Sequence, residues 1–434
     1  MRVVVVGMGY LGVTVAVGLA SKGHDVIGVE CDLDRLESLG RKELPFFEPD
    51  LDVALAAVVG DGRLTFVSDL DHAGGTADAV VIAVGSPPLP DGGADVTHVE
   101  EVLDRVAAMA TAGPIVVKSS VPPGTSDAWA ASGRFPGLAR RYVYVPEFLS
   151  QGSALRDWNY PERIVLGGWD EAMVGQVRDL FAADTTYVVT TPAEAEAIKY
   201  ASNSFLAMRI SFANEIAGLC DEIGADVNRV LRGVGLDSRI GGSFWKPGIG
   251  YGDSCLPKDV AALIHRAATY GRSMPILEAV QATNRAQHLR PLAILRQERS
   301  RLPSWPPSIA VLGLVYEPHT DDVRAAPSLS LIPQLRLISP RITVWDPLLS
   351  RSVVTELFPF ARYAGSTAEA VCDADVVVVL TEYPDVVSGD WLGCLRRNGG
   401  PVVVIDAKNC LPASVLDHES AVYRAIGRRP GRLG

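Results

Sequence analysis

The chain has 434 residues, 48% hydrophobic and 21% charged, with a formal net charge of −11. That length exceeds what one hydrophobic core organises, so two or three domains are expected, with the composition of a globular enzyme. The acidic balance leaves no basic stripe to displace counterions from phosphates, which excludes a nucleic-acid partner.

The apolar run that opens the chain stops at Gly7, too short for a secretory leader. No other run approaches the roughly 20 residues that span a bilayer, so no membrane partner is expected. Cys31, Cys220, Cys255, Cys372, Cys394 and Cys410 are scattered without CxxC pairs. Reduced thiols in a cytoplasmic protein are expected, with no disulfide framework and no metal site.

In chain order, the β-branched runs at 3–6, 25–29, 79–84, 115–117 and 142–145 alternate with helical patterns, the signature of a doubly wound parallel sheet. Gly7-Met8-Gly9-Tyr10-Leu11-Gly12 follows the first run and leads into a helical pattern at 13–21. Gly7 permits a tight turn, Gly9 lets backbone approach a pyrophosphate, and Gly12 permits close helix–strand packing; the helix N-terminus supplies N–H groups. Glu30 ends the second run, eighteen residues after Gly12 (30 − 12). A carboxylate there accepts from an adenosine ribose and repels a 2′-phosphate, so NAD is the expected cofactor rather than NADP. Asp32 competes for the ribose; Glu30 is preferred because it directly ends the run.

Pro192 opens a helical stretch at about 193–223, in which Ile198, Ala201, Phe205, Met208, Phe212, Ile216 and Leu219 recur at helical spacing. Another covers about 275–297. Neither belongs to a βαβ unit, which implies a helical middle domain. The long stretch is apolar on more than one face, and a homodimer built on it is expected. After a proline-rich junction at 301–307, strand patterns return at 309–312, 342–344, 376–380 and 402–405. The expected fold is therefore α/β, with two Rossmann-like doubly wound domains joined by a central helical domain.

In Gly250-Tyr251-Gly252-Asp253-Ser254-Cys255-Leu256-Pro257-Lys258-Asp259, a glycine-rich approach delivers a thiol to the start of a helix with Pro257 in its first turn. The helix N-terminus and Lys258 both favour a thiolate, which makes Cys255 a candidate nucleophile. Lys199 and Asn203 lie four residues apart on one face of the long helix, where both can donate to an oxyanion.

With these segments on the page, the chain resembles the UDP-glucose/GDP-mannose dehydrogenase family over nearly its whole length. The likeness is carried by 7–12, Lys118-Ser119-Ser120-Val121-Pro122-Pro123-Gly124-Thr125, Val145-Pro146-Glu147-Phe148-Leu149, 198–207, Asp237-Ser238-Arg239-Ile240-Gly241, 250–259, 311–314 and Thr320-Asp321-Asp322-Val323-Arg324. It implies oxidation of a nucleotide-sugar C6 alcohol to the carboxylate with two NAD reduced, the aldehyde held on Cys255 as a thiohemiacetal and then a thioester. It implies catalytic roles for Cys255, Lys199, Asn203, Asp259, Glu147 and Ser120. Cofactor contacts fall to Gly7, Gly9, Tyr10, Leu11, Gly12, Glu30, Ser86 and Ser120. Substrate contacts fall to Glu147, Phe148, Leu149, Lys199, Asn203, Arg239, Tyr251, Gly252 and Arg324. Arg239 is expected to reach across a subunit interface, and Phe244 and Trp245 to flank the base or pack on the core. The expected division is 1–192 for NAD, 193–300 for dimerisation and the cysteine, and 301–434 for the nucleotide sugar.

Departures from the family pattern bear on the substrate. Ser120 stands for a usual threonine, Gln151 for a frequent glutamate, Asp253 for a glycine, Glu317 for a substrate-contacting lysine, and Lys408 for a frequent arginine. The expected substrate is UDP-glucose or TDP-glucose in type. The alternatives are GDP-mannose, a UDP-N-acetylhexosamine, or a binding protein without turnover.

Overall fold

The computed structural model describes residues 1–73, 77–109, 113–395, 401–412 and 421–428. They form two compact units, one of Met1–Asn203 with Ala261–Ser273, the other of Ser204–Val260 with Met274 onward. The boundary falls inside two helices, Pro192–Ile223 and Leu256–Thr269.

The first unit holds an eight-stranded sheet. Its strands are β1 (Arg2–Val6), β2 (Asp25–Val29), β3 (Leu64–Val67), β4 (Ala79–Ile82), β5 (Ile115–Val117), β6 (Tyr142–Tyr144), β7 (Arg163–Gly168) and β8 (Thr186–Thr190), in the order β3-β2-β1-β4-β5-β6-β7-β8. All neighbours are parallel except β6 and β7, which run antiparallel. The second unit holds β9 (Ile309–Leu312), β10 (Ile342–Trp345), β11 (Arg362–Tyr363), β12 (Val376–Val379), β13 (Val402–Asp406) and β14 (Ala421–Ala425), all parallel, ordered β11-β10-β9-β12-β13-β14. Both orders reverse beside the first strand, where ligands meet doubly wound sheets. The two Rossmann-like sheets and the helical region that links them are as expected.

The valine run of β1 shows why sequence and sheet agree. Successive side chains point to opposite faces, so Val3 and Val5 enter one core cluster while Val4 and Val6 enter the other. With both faces covered, a continuous apolar run is required rather than alternation. Each such side chain contributes about 1.5–3 kcal/mol of burial.

The strands that the patterns did not announce are β3, β7, β8, β11 and β14. β8 is an edge strand with half-exposed Tyr187 and Val188 and exposed Val189, so it carries no buried run. The stretch expected as one helix at 275–297 is two, Pro275–Gln287 and Arg290–Gln297. Pro291 sits in the first turn of the second, where its missing N–H is harmless, whereas it breaks a continuing ladder.

The long helix also differs in which face it buries. Ala207, Ile210, Ala213, Ala217 and Cys220 are buried, while Phe205, Phe212, Leu219 and Ile223 are exposed. Small residues permit close packing against its own unit, and the larger aromatic and aliphatic residues remain outside. Among the described residues, no helix is long and apolar enough to cross a membrane.

Candidate active site

Helix Tyr10–Ser21 begins directly after the glycine turn, with Gly9 at its N-cap and no side chain capping it. Gly7 has a φ of 91°, and a Cβ added to Gly12 would overlap the Gly7 carbonyl oxygen. Gly9 meets no atom within 4 Å of an added Cβ, so open space borders the helix start. Glu30 is buried and accepts from the N–H of Met8 at 3.1 Å and of Asp32 at 2.9 Å. Asp32 instead caps helix Leu33–Gly40 by accepting from Arg35 N–H, which leaves the strand-end position to Glu30. An open cradle before an uncapped helix, with an acid at the next strand end, fits NAD. Arg35, which the sequence reading missed, pairs with Glu30 at 3.0 Å. Tyr10 donates to Glu48 at 2.8 Å, and Glu48 accepts in turn from Gly152 and Ala154 N–H.

The other expected residues of this unit follow the carboxyl ends of adjacent strands. Half-buried Ser86 follows β4, Ser120 follows β5, and Glu147 follows β6. Ser119 ties two of these ends together, donating to Val84 O at 2.7 Å. The Glu147 carboxylate accepts from Phe148 and Leu149 N–H and lies 2.8 Å from the buried ammonium of Lys118. Lys199, buried on the long helix, donates to the Glu147 carbonyl oxygen. Phe148 lies under Lys199 at 5.3 Å and under Arg163 at 4.1 Å. Glu147, Lys199 and Lys118 therefore converge, and Asn203, buried one turn beyond Lys199, shares the helix face of Lys199.

In the second unit, Cys255 is half-buried and immediately precedes helix Leu256–Thr269, 3.7 Å from the Ser254 hydroxyl. In the first helical turn Lys258 and fully buried Asp259 form an ion pair at 2.6 Å. The approaching loop is locked by Asn284, which accepts from Tyr251 N–H at 2.7 Å and donates to Tyr251 O at 2.8 Å. A Cβ on Gly250 would overlap the Asn284 amide, and one on Gly252 would lie 2.7 Å from Ala325 O. Buried Tyr251 has its phenol pushed up to about 12 by burial. Asp253 adopts a φ of 74°, a left-handed conformation that aspartate tolerates better than most residues. Burial pushes the Asp253 carboxyl above its usual range, against the pull of the Ser254 N–H and hydroxyl and, more weakly, of Arg324.

The remaining cations separate into two kinds. Arg239 and Arg324 are exposed and held by near neighbours, Asp237 at 2.7 Å and Asp322 at 2.6 Å. Lys246 pairs with Glu317 at 2.9 Å, while Lys408 lies 3.1 Å from Glu382 and donates to Tyr316 O at 2.7 Å. Burial would raise the Glu317 carboxyl, but Lys408 and Lys246 together hold it below its usual range. This cluster sits beyond the carboxyl ends of β9, β12 and β13. Trp245 packs on the core, with Arg209 over its ring at 4.2 Å.

The NAD binding domain of the UDP-glucose/GDP-mannose dehydrogenase family matches residues 1–184, its central domain 193–286 and its UDP binding domain 310–413. The chain belongs to this family. The UDP-glucose 6-dehydrogenase of Rhizobium meliloti is 36% identical over 442 residues, covering 99% of this chain and 100% of the relative. That of Pseudomonas aeruginosa is 37% identical over 449 residues, covering 99% and 98%. A solved UDP-glucose dehydrogenase from Pyrobaculum islandicum superposes with a TM-score of 0.89 at 34% identity, covering 99% of this chain and 98% of that one. The chain is an NAD-dependent nucleotide-sugar 6-dehydrogenase.

Several residues that contact the expected site positions are not singled out by the sequence: Arg35, Glu48, Lys118, Asn284 and Lys246. Each acts through a partner distant in sequence, apart from Arg35, whose pair with Glu30 spans five residues. Lys118 lies inside a quoted family motif, so its place was visible although its bond to Glu147 was not.

Proposed function

We propose that this dehydrogenase oxidises the C6 alcohol of UDP-glucose, or of TDP-glucose, to the uronate through a covalent bond to Cys255. When bound, NAD supplies the hydride acceptor for both oxidations. Cys255 sulfur bonds to C6 of the aldehyde left by the first oxidation, giving a thiohemiacetal. The second oxidation leaves a thioester, and water breaks its C–S bond to release the acid and the thiol. Lys199 and Asn203 donate to the oxyanion, each such donor being worth about 2.7–4 kcal/mol of barrier. Glu147 takes the proton of the attacking water. Asp259 balances Lys258 and orients water, and Ser120 bridges a water through its hydroxyl. Arg239 and Arg324 serve the nucleotide-sugar oxygens, because their exposed forks suit that task.

The observation that carries this reading is the placement of Cys255 at a helix start, in a loop locked by Asn284, with half-buried Lys258 paired to buried Asp259 in the helix's first turn. The family's three-part division, with boundaries at 192 and 300, is carried over with it. Exposed Phe205, Phe212, Leu219 and Ile223 on the long helix support a homodimer, which light scattering tests. The scattered thiols support a cytoplasmic setting.

Glu317 favours a second reading, in which GDP-mannose or a UDP-N-acetylhexosamine is the substrate. Lys246 neutralises this carboxylate, so the site keeps a cation but moves it.

A panel of nucleotide sugars, read by NADH absorbance and product mass, tests both readings. Two NADH per UDP-glucose or TDP-glucose are expected, and none with C255S at steady state. Preferential turnover of GDP-mannose or a UDP-N-acetylhexosamine supports the second reading. Sustained double turnover by C255S would remove the covalent mechanism, and absence of NADH with every sugar would leave only a binding protein.

A further inference from the structure

Glu196 is fully buried on the long helix, three residues before Lys199, and the proposed chemistry does not use it. Its carboxyl faces the turn that follows Ser120. Oε2 accepts from Gly124 N–H at 2.6 Å, and Oε1 accepts from Ser126 N–H at 2.9 Å and from the Ser126 hydroxyl. That hydroxyl lies 2.6 Å from the Tyr142 hydroxyl, and Tyr144 accepts from Val121 N–H at 3.5 Å. Arg266, on helix Leu256–Thr269, donates to Pro123 O at 2.8 Å.

The composition of the turn explains the need for these partners. Pro122 and Pro123 have no N–H, and Thr125 N–H is already bonded to Pro122 O at 3.1 Å. Half-buried Gly124 and buried Ser126 are left with donors that cost free energy if unmet. A carboxylate satisfies both N–H groups and the hydroxyl. A glutamine has one acceptor oxygen and places an amino group against a donor.

We propose that Glu196 is a positioning residue, clamping the amides of Gly124 and Ser126 so that the Ser120 turn keeps its place against the helix carrying Lys199 and Asn203. Arg266 holds the same turn from the helix that follows Cys255. The proposal rests on the roles given above to Ser120 and Lys199. The charged and titratable groups around the carboxyl and the turn it holds are Asp127 on the short helix after the turn, Tyr142 and Tyr144 on β6, and Arg266 and Tyr270 beside Gly124. Burial pushes the Glu196 carboxyl up to about 7, against the pull of Ser126 and Gly124. Below that pH the clamp gains an O–H and loses an acceptor.

Full-length E196Q, S120A and R266M, assayed for kcat, KM and amide hydrogen exchange, test the clamp. In E196Q, kcat is expected to fall about tenfold to a hundredfold, the loss that a small misplacement produces. The KM for the nucleotide sugar stays within about twofold, and exchange at Gly124 and Ser126 accelerates. The wild-type kcat falls as pH drops through about 7, whereas E196Q shows no step there. Unchanged kcat and unchanged exchange in E196Q overturn the proposal. Loosened amides with an S120A enzyme of full activity would instead refute the role of Ser120 and leave the clamp standing. Should E196Q fail to fold, R266M reads the same turn from half-buried Arg266; kcat and Gly124 exchange unchanged in R266M count against the clamp.

Discussion

β1 and β9 both run into a glycine of positive φ, 91° at Gly7 and 87° at Gly313. Each glycine N–H bonds the last residue of the neighbouring strand, Val29 at 2.9 Å and Trp345 at 2.8 Å. An acid follows that residue in both sheets, Glu30 and Asp346, and both accept N–H groups from the turn after the first strand. From there the two regions part. After Gly7 the helix starts at Tyr10, whereas after Gly313 no α-helix begins until Pro327. Asp346, fully buried, spends its oxygens on Leu314, Val315 and Leu348 N–H and on the Tyr383 hydroxyl. A shared strand-and-acid frame thus offers a helix N-terminus suited to a phosphate only where glycine spacing feeds the turn straight into a helix. Where the connection is long, the acid serves the loop itself.

Substitutions can break or sharpen this contrast. The largest effect is expected from G12V, whose side chain would collide with the Gly7 carbonyl. It should cost about 3 kcal/mol, the upper range for overpacking, and abolish NAD binding; urea melts and NAD titration check both. Glu196 comes next. Its folded pKa of about 7 exceeds the unfolded 4.5 because burial favours the neutral carboxyl; that stability is full below 4.5 and is lost as pH rises through 7, so the ionised clamp forms at the expense of fold stability. That amounts to about 3 kcal/mol, and stability measured against pH should lose this slope in E196Q.

D346N places an amino group against a backbone N–H and should cost about 2 kcal/mol while leaving the NAD dissociation constant unchanged. Equal weakening of NAD binding would show that the second acid is not merely structural. The smallest stability effect belongs to G9A. Gly9 has an ordinary φ of −74° and open space around its missing Cβ, so the melting curve should move by less than about 0.5 kcal/mol. NAD affinity should nevertheless fall about tenfold or more, because only the ligand needs that space.

The buried strands, the glycine turn and the cysteine loop were legible because their signals are local. A β-branched run, a glycine spacing or a proline in a first helical turn constrains φ, ψ and burial within a few residues. The long helix shows the limit of such signals. Its periodic apolar residues were visible, but Ala201, Phe205, Phe212 and Leu219 lie on the exposed side, and Ala207, Ala213 and Ala217 on the buried one. Periodicity identifies a face without saying what covers it.

Sequence by itself determined the α/β class, the two sheets, the family and the residues quoted from its motifs. Tertiary structure decided which acid ends β2 free of a capping duty, that Lys118 meets Glu147, that Asn284 locks the cysteine loop, and that Glu196 holds the Ser120 turn. The last three pairings join residues 29, 33 and more than 70 positions apart. The first is an ion pair between the ends of two strands, and the other two depend on which donors the folded backbone leaves unmet, a shortage that exists only once the turns are packed.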